Sequence, residues 1–181
     1  MYYHINYQSP IGNMVVACDD EKEHIVGLWI EGQKYFLGSL SEEPVLQEGI
    51  PVLRKAADWL DAYFAGKKPG IEELPLAPQG GAFRQEVWKI LCEVPYGSVI
   101  TYGEIARKMA SRMGKETMSA QAAGGAVAHN PISVIIPCHR VVGTNKSLTG
   151  YAGGIDRKIK LLKHEGVDTS EFFVPKVTTA P

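Results

Sequence analysis

The chain has 181 residues, 45% of them apolar and 22% charged, with a net charge of −1. That is the balance of an ordinary globular chain, long enough for one sizeable domain or two small ones. No apolar run approaches the roughly 20 residues that span a bilayer, and MYYHINYQSP lacks the basic-then-apolar order of a secretory signal, so no membrane partner and a cytoplasmic location are expected.

Residues 2–7, 13–18 and 25–30 read as strands rich in Tyr, Ile and Val, separated by the turn-like SPIGN and DDEKE. Pro51 can open a helix on which Val52, Ala56, Leu60 and Phe64 share one face, with Gly66 as its stop. Strands plus one helix make a small α+β unit. The stretch GKKPGIEELPLAPQGG, residues 66–81, has no sustained period and is rich in Pro and Gly. A boundary is placed there, giving domains 1–82 and 83–181.

The second half reads as mostly helical. Residues 83–92 put Phe83, Val87, Ile90 and Leu91 on one face, with Cys92 beside the core. Thr101 opens TYGE, a Thr-x-x-Glu capping box, so a helix is expected over residues 102–110. SRMGKE is a turn, residues 119–129 form another helix, and Asn130–Pro131 stops it. Two short helices with a polar, Gly-bearing turn match a helix-turn-helix, a pattern also common in chains that touch no DNA. The second helix, SAQAAGGAVAH, carries almost no side chains. Gly124 and Gly125 each cost it about 1 kcal/mol relative to Ala. Close packing against another helix or close approach of a ligand as large as a DNA groove would offset that cost, and both can hold on opposite faces. Charge is uneven as well. Residues 1–82 carry 6 Lys+Arg against 12 Asp+Glu, a net −6, while residues 83–181 carry 13 against 8, a net +5. A basic C-terminal half suits contact with phosphates.

Cys18, Cys92 and Cys138 are odd in number and far apart, which argues for reduced thiols. No CxxC or HExxH motif occurs. His4, Cys18 and His24 read as surface histidines and a core cysteine, so no metal and no cofactor are expected. IIPCHRVVG, residues 135–143, is different: Cys138, His139 and Arg140 interrupt what reads as a buried strand. Neighbours on a regular strand point to opposite faces. Cys138 and His139 therefore meet only if Pro137 turns the chain, or through a water. Downstream, GYAGGIDRKIKLLKHEG, residues 150–166, is a Gly-rich loop followed by a helix. Glu165 stands at its C-terminal end, where the dipole disfavours a carboxylate. It is either a solvated surface residue or one held there to orient a histidine.

PCHRVVG, preceded by the helix-turn-helix pattern and followed by GYAGG and HEG, resembles the 6-O-alkylguanine-DNA alkyltransferases, the methylated-DNA–protein-cysteine methyltransferases. The resemblance is close over residues 83–166 and weaker before. It implies an RNase-H-like N-terminal domain and a helical C-terminal domain with a winged helix-turn-helix. It implies a monomer without cofactor, acting on duplex DNA that carries 6-O-alkylguanine, flipping the base out and keeping the alkyl group in a single turnover. By the same resemblance Cys138 is the acceptor, and His139 and Glu165 deprotonate it through a water. Tyr102 rotates the nucleotide and protonates the leaving guanine, and Asn130 is the hinge before the cysteine loop. The Val141 carbonyl accepts from the guanine amino group, Tyr151 is a pocket wall, and the Ala152 N–H donates to the base oxygen. Arg140 is structural or faces a phosphate. Gln121, Ala122 and Gly125 lie on the reading helix, with Gln121 where the family usually has an intercalating arginine. A lesion-binding protein without transfer, or a cysteine hydrolase, are the alternative readings.

Overall fold

The computed structural model describes residues 1–175. They fall into two compact units, Met1–Gly80 with Pro131–Ile135, and Gly81–Asn130 with the chain from Ile136 onward.

In the first unit β1 (Tyr3–Ser9), β2 (Gly12–Cys18) and β3 (Ile25–Ile30) form an antiparallel meander. The two-residue β4 (Val45–Leu46) adds in parallel to β1, giving the order β3-β2-β1-β4. The first hairpin closes because the Ser9 hydroxyl donates to Gly12 O at 2.6 Å and accepts from Ile11 N at 3.2 Å. Asp19 organises the second turn by accepting from the amides of Glu23 and His24. All six residues of β3 are buried. α1 (Pro51–Phe64) packs on β1, β2 and β3, while Val15, Ala17, Val26 and Trp29 form an apolar cluster with Tyr2, Leu37, Leu40 and Ala77 against it. Pro51 fits the first turn, where its missing N–H is no loss. The buried stripe of α1 is rotated from the expected one. Tyr63 takes the deep position and Phe64 lies half-buried, edge-on to it at 5.1 Å.

β3 would leave one row of N–H and C=O groups open at the sheet edge. Two distant segments close it. Ile25 N donates to Pro75 O and Ala77 N to Ile25 O, both at 2.8 Å. Leu28 N donates to Pro131 O at 2.8 Å and Ser133 N to Leu28 O at 3.0 Å, a bridge between Leu28 and Ile132. Residues 131–135 therefore return to the first unit, which a single boundary at residues 66–81 does not foresee.

In the second unit α2 (Ala82–Cys92), α3 (Tyr102–Arg112) and α4 (Ala120–Ala128) pack on one another. Val87, Trp88, Ile90 and Leu91 of α2 are buried, and the Trp88 indole donates to Ala126 O at 2.9 Å. The capping box forms as expected: Thr101 Oγ accepts from Glu104 N at 3.0 Å, and Glu104 Oε2 accepts from Thr101 N at 2.9 Å. Such a cap contributes about 1 kcal/mol. Ser119 caps α4 through Ala122 N. β5 (Ile100–Thr101) pairs in parallel with β6 (Val141–Val142), and α5 (Ile155–His164) follows. Val142, Leu148 and Leu162 make a further cluster that holds α5. Among the described residues no helix is long and apolar enough to cross a membrane.

The apolar run before the cysteine is not a regular strand. Val134 has φ 70°, Ile135 N bonds back to Ser133 O, and Cys138 N to Ile136 O. Pro137 has no N–H to give a ladder. Cys138–Arg140 form a single 3-10 turn, and only Val141–Val142 are extended.

Candidate functional site

Three polar or ionisable side chains in a row are buried: Cys138 is 4% exposed, His139 0% and Arg140 7%. Burying such groups is costly unless each finds a partner. Glu165, which caps the C-terminus of α5, supplies most of them. Its Oε2 lies 2.6 Å from His139 Nε2 and 3.1 Å from Arg140 Nη2, and its Oε1 accepts from Arg140 Nε at 2.7 Å. Gly97 N donates to the same carboxylate at 3.2 Å. Arg140 Nη1 donates to Val94 O at 2.7 Å. The guanidinium thus offsets the unfavourable place of a carboxylate at a helix C-terminus. Of the two readings of Glu165, the solvated one is overturned: its side chain is buried. Of the two for Arg140, the phosphate-facing one is overturned, since its guanidinium is spent on Glu165 and Val94 inside the unit.

A carboxylate on Nε2 fixes the imidazole with its proton there, leaving the lone pair on Nδ1. His139 Nδ1 is buried without a protein partner. Burial pushes the imidazole below its usual range, with Glu165 opposing. The neutral ring, a base, is the form held at neutral pH. Burial pushes the Cys138 thiol up, while the Asn130 amide and the Lys158 ammonium act the other way. Asn130 is itself buried and donates to Ile136 O at 2.8 Å, which pins the start of the cysteine turn to the end of α4.

Around this centre the remaining expected residues divide. The Tyr102 hydroxyl, at the start of α3, donates towards Thr149 O at 3.1 Å and Gly150 O at 3.0 Å. Burial, then the neighbouring Cys138, push it well above the ordinary phenol range. Tyr151 stands edge-on to His139 with ring centroids 6.5 Å apart, and its buried hydroxyl has no partner. Ala152 is half-buried between Tyr151 and α5. The Val141 carbonyl accepts from Lys158 Nζ. Gln121 and Ala122 are exposed and Gly125 is half-buried, on the face of α4 opposite the buried Ala123, Gly124, Ala126 and Val127. The structure therefore gathers Cys138, His139, Arg140, Glu165, Asn130, Tyr102, Val141 and Tyr151 around one turn and leaves the α4 residues on an outer face. His24 Nδ1 lies 2.8 Å from Asp19 Oδ2, and Cys18 is buried in β2.

Sequence reasoning missed Lys158. It is wholly buried, and its Nζ donates to Thr149 O at 2.8 Å as well as to Val141 O. The signal was present. Ile155, Lys158, Ile159 and Leu162 follow the i, i+3, i+4, i+7 spacing of a buried helix face, so a lysine stands where an apolar residue belongs.

A thiol with a buried, carboxylate-backed neutral base beside it is equipped to become a nucleophile. A tyrosine aimed at the loop opposite can donate a proton. The comparisons agree in kind. The family model "6-O-methylguanine DNA methyltransferase, ribonuclease-like domain" matches residues 1–78, and "6-O-methylguanine DNA methyltransferase, DNA binding domain" matches residues 82–167. The chain is 38% identical over 178 residues to a methylated-DNA–protein-cysteine methyltransferase of Methanosarcina acetivorans, covering 92% of this chain and 99% of that one. It is 47% identical over 163 residues to one of Salmonella typhimurium, covering 87% and 92%. Among solved structures it is similar to Mycobacterium tuberculosis OGT in complex with DNA, at TM-score 0.77 and 35% identity, covering 94% of each chain.

Proposed function

The chain belongs to the 6-O-methylguanine DNA methyltransferase family, and from that membership we propose that it repairs DNA by taking the methyl group of 6-O-methylguanine onto its own Cys138. One observation carries the assignment of the acceptor: Cys138 shares a buried turn with His139, whose Nε2 is held by Glu165 at 2.6 Å and whose Nδ1 has no protein partner. In this reading the thiol proton passes through a water to Nδ1. The thiolate sulfur then forms a bond to the methyl carbon as the carbon–oxygen bond breaks. The leaving guanine sheds its developing charge by taking the proton of Tyr102, and the proton held on His139 then returns to the Tyr102 phenolate, so the net proton transfer is from thiol to base. The carbonyl of Val141 and the N–H of Ala152 are assigned to orient the purine, with Tyr151 as a wall. A thioether has no easy hydrolytic exit, so each chain acts once.

DNA is the partner. Gln121, Ala122 and Gly125 on the outer face of α4 are assigned to its groove. A lesion that pairs poorly costs less to extrude, which supplies selectivity. Gln121 is shorter than an arginine and uncharged. It can still hydrogen-bond the orphaned base but adds no cation stacking. A monomer suits a one-to-one transfer, and three unpaired cysteines suit a reducing cytoplasm.

The test is incubation with duplex DNA bearing 6-O-methylguanine, followed by mass mapping. The expected result is one methyl on the Cys138 peptide and an unmodified guanine in the DNA. Cys138→Ser should lose transfer altogether while binding DNA as before. Transfer surviving in that variant would show that the acceptor lies elsewhere.

A further inference from the structure

The buried charges around the acceptor turn do not balance by themselves. Arg140 and Glu165 form a salt bridge at 2.7 Å and cancel. His139 is held neutral by burial. Lys158 is left over. It is 0% exposed, and its ammonium donates to two carbonyl oxygens, of Val141 and Thr149. Among the described residues no carboxylate pairs with it, the Glu165 carboxylate being taken by His139 and Arg140. Carbonyl dipoles solvate an ammonium but do not neutralise it, and a buried charge without a counter-charge is costly. The one remaining group there that can carry a negative charge in ordinary turnover is the sulfur of Cys138. Tyr102 and Tyr151 are both pushed far towards their neutral forms by burial.

We propose that Lys158 is a positioning residue of the acceptor site: it is the buried counter-charge of the Cys138 thiolate, and it ties the Val141 and Thr149 carbonyls to one point. The proposal rests on Cys138 being the acceptor. Glu165 and His139 remove the thiol proton, and Lys158 makes the resulting anion tolerable in a dry site. The two groups act on each other in the expected sense. Burial draws the Lys158 ammonium down to about 8 although Cys138 supports it, and Lys158 supports the thiolate against the same burial. Thr149 O also takes the Tyr102 hydroxyl, so the ammonium fixes the carbonyl that aims the proposed proton donor. Transfer converts the anionic sulfur into a neutral thioether. The sulfur–carbon bond forms, the carbon–oxygen bond breaks, and the ammonium loses its partner.

The titrating groups that face Lys158 are Cys138 and His139 on the acceptor turn, with Tyr102 reaching it through Thr149 O. The experiment needs no DNA, so its failure is distinct from a failure of the repair reading. Carboxamidomethylation of Cys138 by iodoacetamide is followed by mass between pH 5 and 10 in the wild type, Lys158→Met and Lys158→Arg. Lys158→Met should raise the apparent pKa of the thiol by about one unit, a roughly tenfold slower reaction on the acid side of the curve. Lys158→Arg should stay near the wild-type curve. Superimposable curves for wild type and Lys158→Met would overturn the proposal. A purely structural lysine would alter the amount of folded protein but not the midpoint. Should Lys158→Met not fold, the wild type alone decides. Its Lys158 amine, titrated by NMR before and after Cys138 is capped with iodoacetamide, should titrate at lower pH once the thiolate is gone. An unchanged midpoint would equally overturn it.

Discussion

β3 and the acceptor turn are both buried, and they are built on opposite terms. β3 presents six residues, Ile25 to Ile30, of which none is charged or ionisable. The turn presents Cys138, His139 and Arg140. The strand is held by area: each large apolar side chain contributes roughly 1.5–3 kcal/mol on leaving water, and any similar side chain of the right volume does nearly as well. The turn is held by pairing, and its partners are few and specific: Glu165, Val94 O, Gly97 N and Asn130. Burial in the strand makes the fold. Burial in the turn costs the fold something and sets the chemistry, because it keeps His139 neutral and leaves its Nδ1 without a protein partner.

The comparison breaks most visibly if one member of each region is removed at equal cost. Ile30→Ala should destabilise the chain by about 3 kcal/mol through its cavity. Glu165→Gln should cost about the same, because the Arg140 guanidinium is left in a buried site with no negative partner. Chemical denaturation measures both. Methyl transfer measured per folded molecule then separates them. Ile30→Ala should keep its rate, and Glu165→Gln should lose about a hundredfold, in the range for removing a general base. Equal rates in the two would mean that the carboxylate serves stability alone.

How much of this was legible in the sequence follows the same division. α3 was bounded by a local signal, Thr101 with Glu104, and α4 by Ser119 and Asn130–Pro131; each acts within a few residues, and each formed. The strands β1 to β3 were visible in their apolar runs. Residues 131–137 were not, because an apolar run reads the same in a buried loop as in a strand. Residues 131–133 are placed by the β3 edge, about a hundred residues earlier in sequence. At the site, Cys138 and His139 announce themselves, while Glu165 stood open between surface and site until Arg140 and His139 were seen on it. Lys158 was overlooked because a charged residue in a helix is ordinarily read as solvent-facing.

A smaller effect sharpens the contrast through pH. Burial lowers the His139 pKa from 6.5, so the folded chain binds fewer protons at this site than the unfolded chain just below that pH. Stability contributed by the neutral ring is present in full above the unfolded value and is lost as pH falls through the folded one. Transfer should therefore stay level from pH 8 down to about 6.5 and decline only at lower pH, where Nδ1 is filled by a proton. Urea titrations at pH 7.5 and 5 should show a loss of stability that His139→Gln lacks. A rate that already halves at pH 7 would mean that the ring is not held neutral.

The smallest expected effect lies on α4, whose two faces repeat the contrast within one helix. Its inner face, with Ala123, Ala126 and Val127, is closed by packing and by the Trp88 bond to Ala126 O. Its outer face carries Gly125, and a Cβ built there meets nothing within 4 Å. Nothing in the chain itself therefore excludes alanine, although glycine costs the helix about 1 kcal/mol. If the outer face meets DNA, the missing methyl lets the groove come close to the backbone. Gly125→Ala should then raise the melting temperature by a few degrees, as the propensity gain requires, and weaken duplex binding several-fold. The dependence of binding on salt should not change, because no charge is removed. A variant that is more stable and binds duplex DNA as well as the wild type would show that the face of α4 bearing Gly125 does not approach the groove.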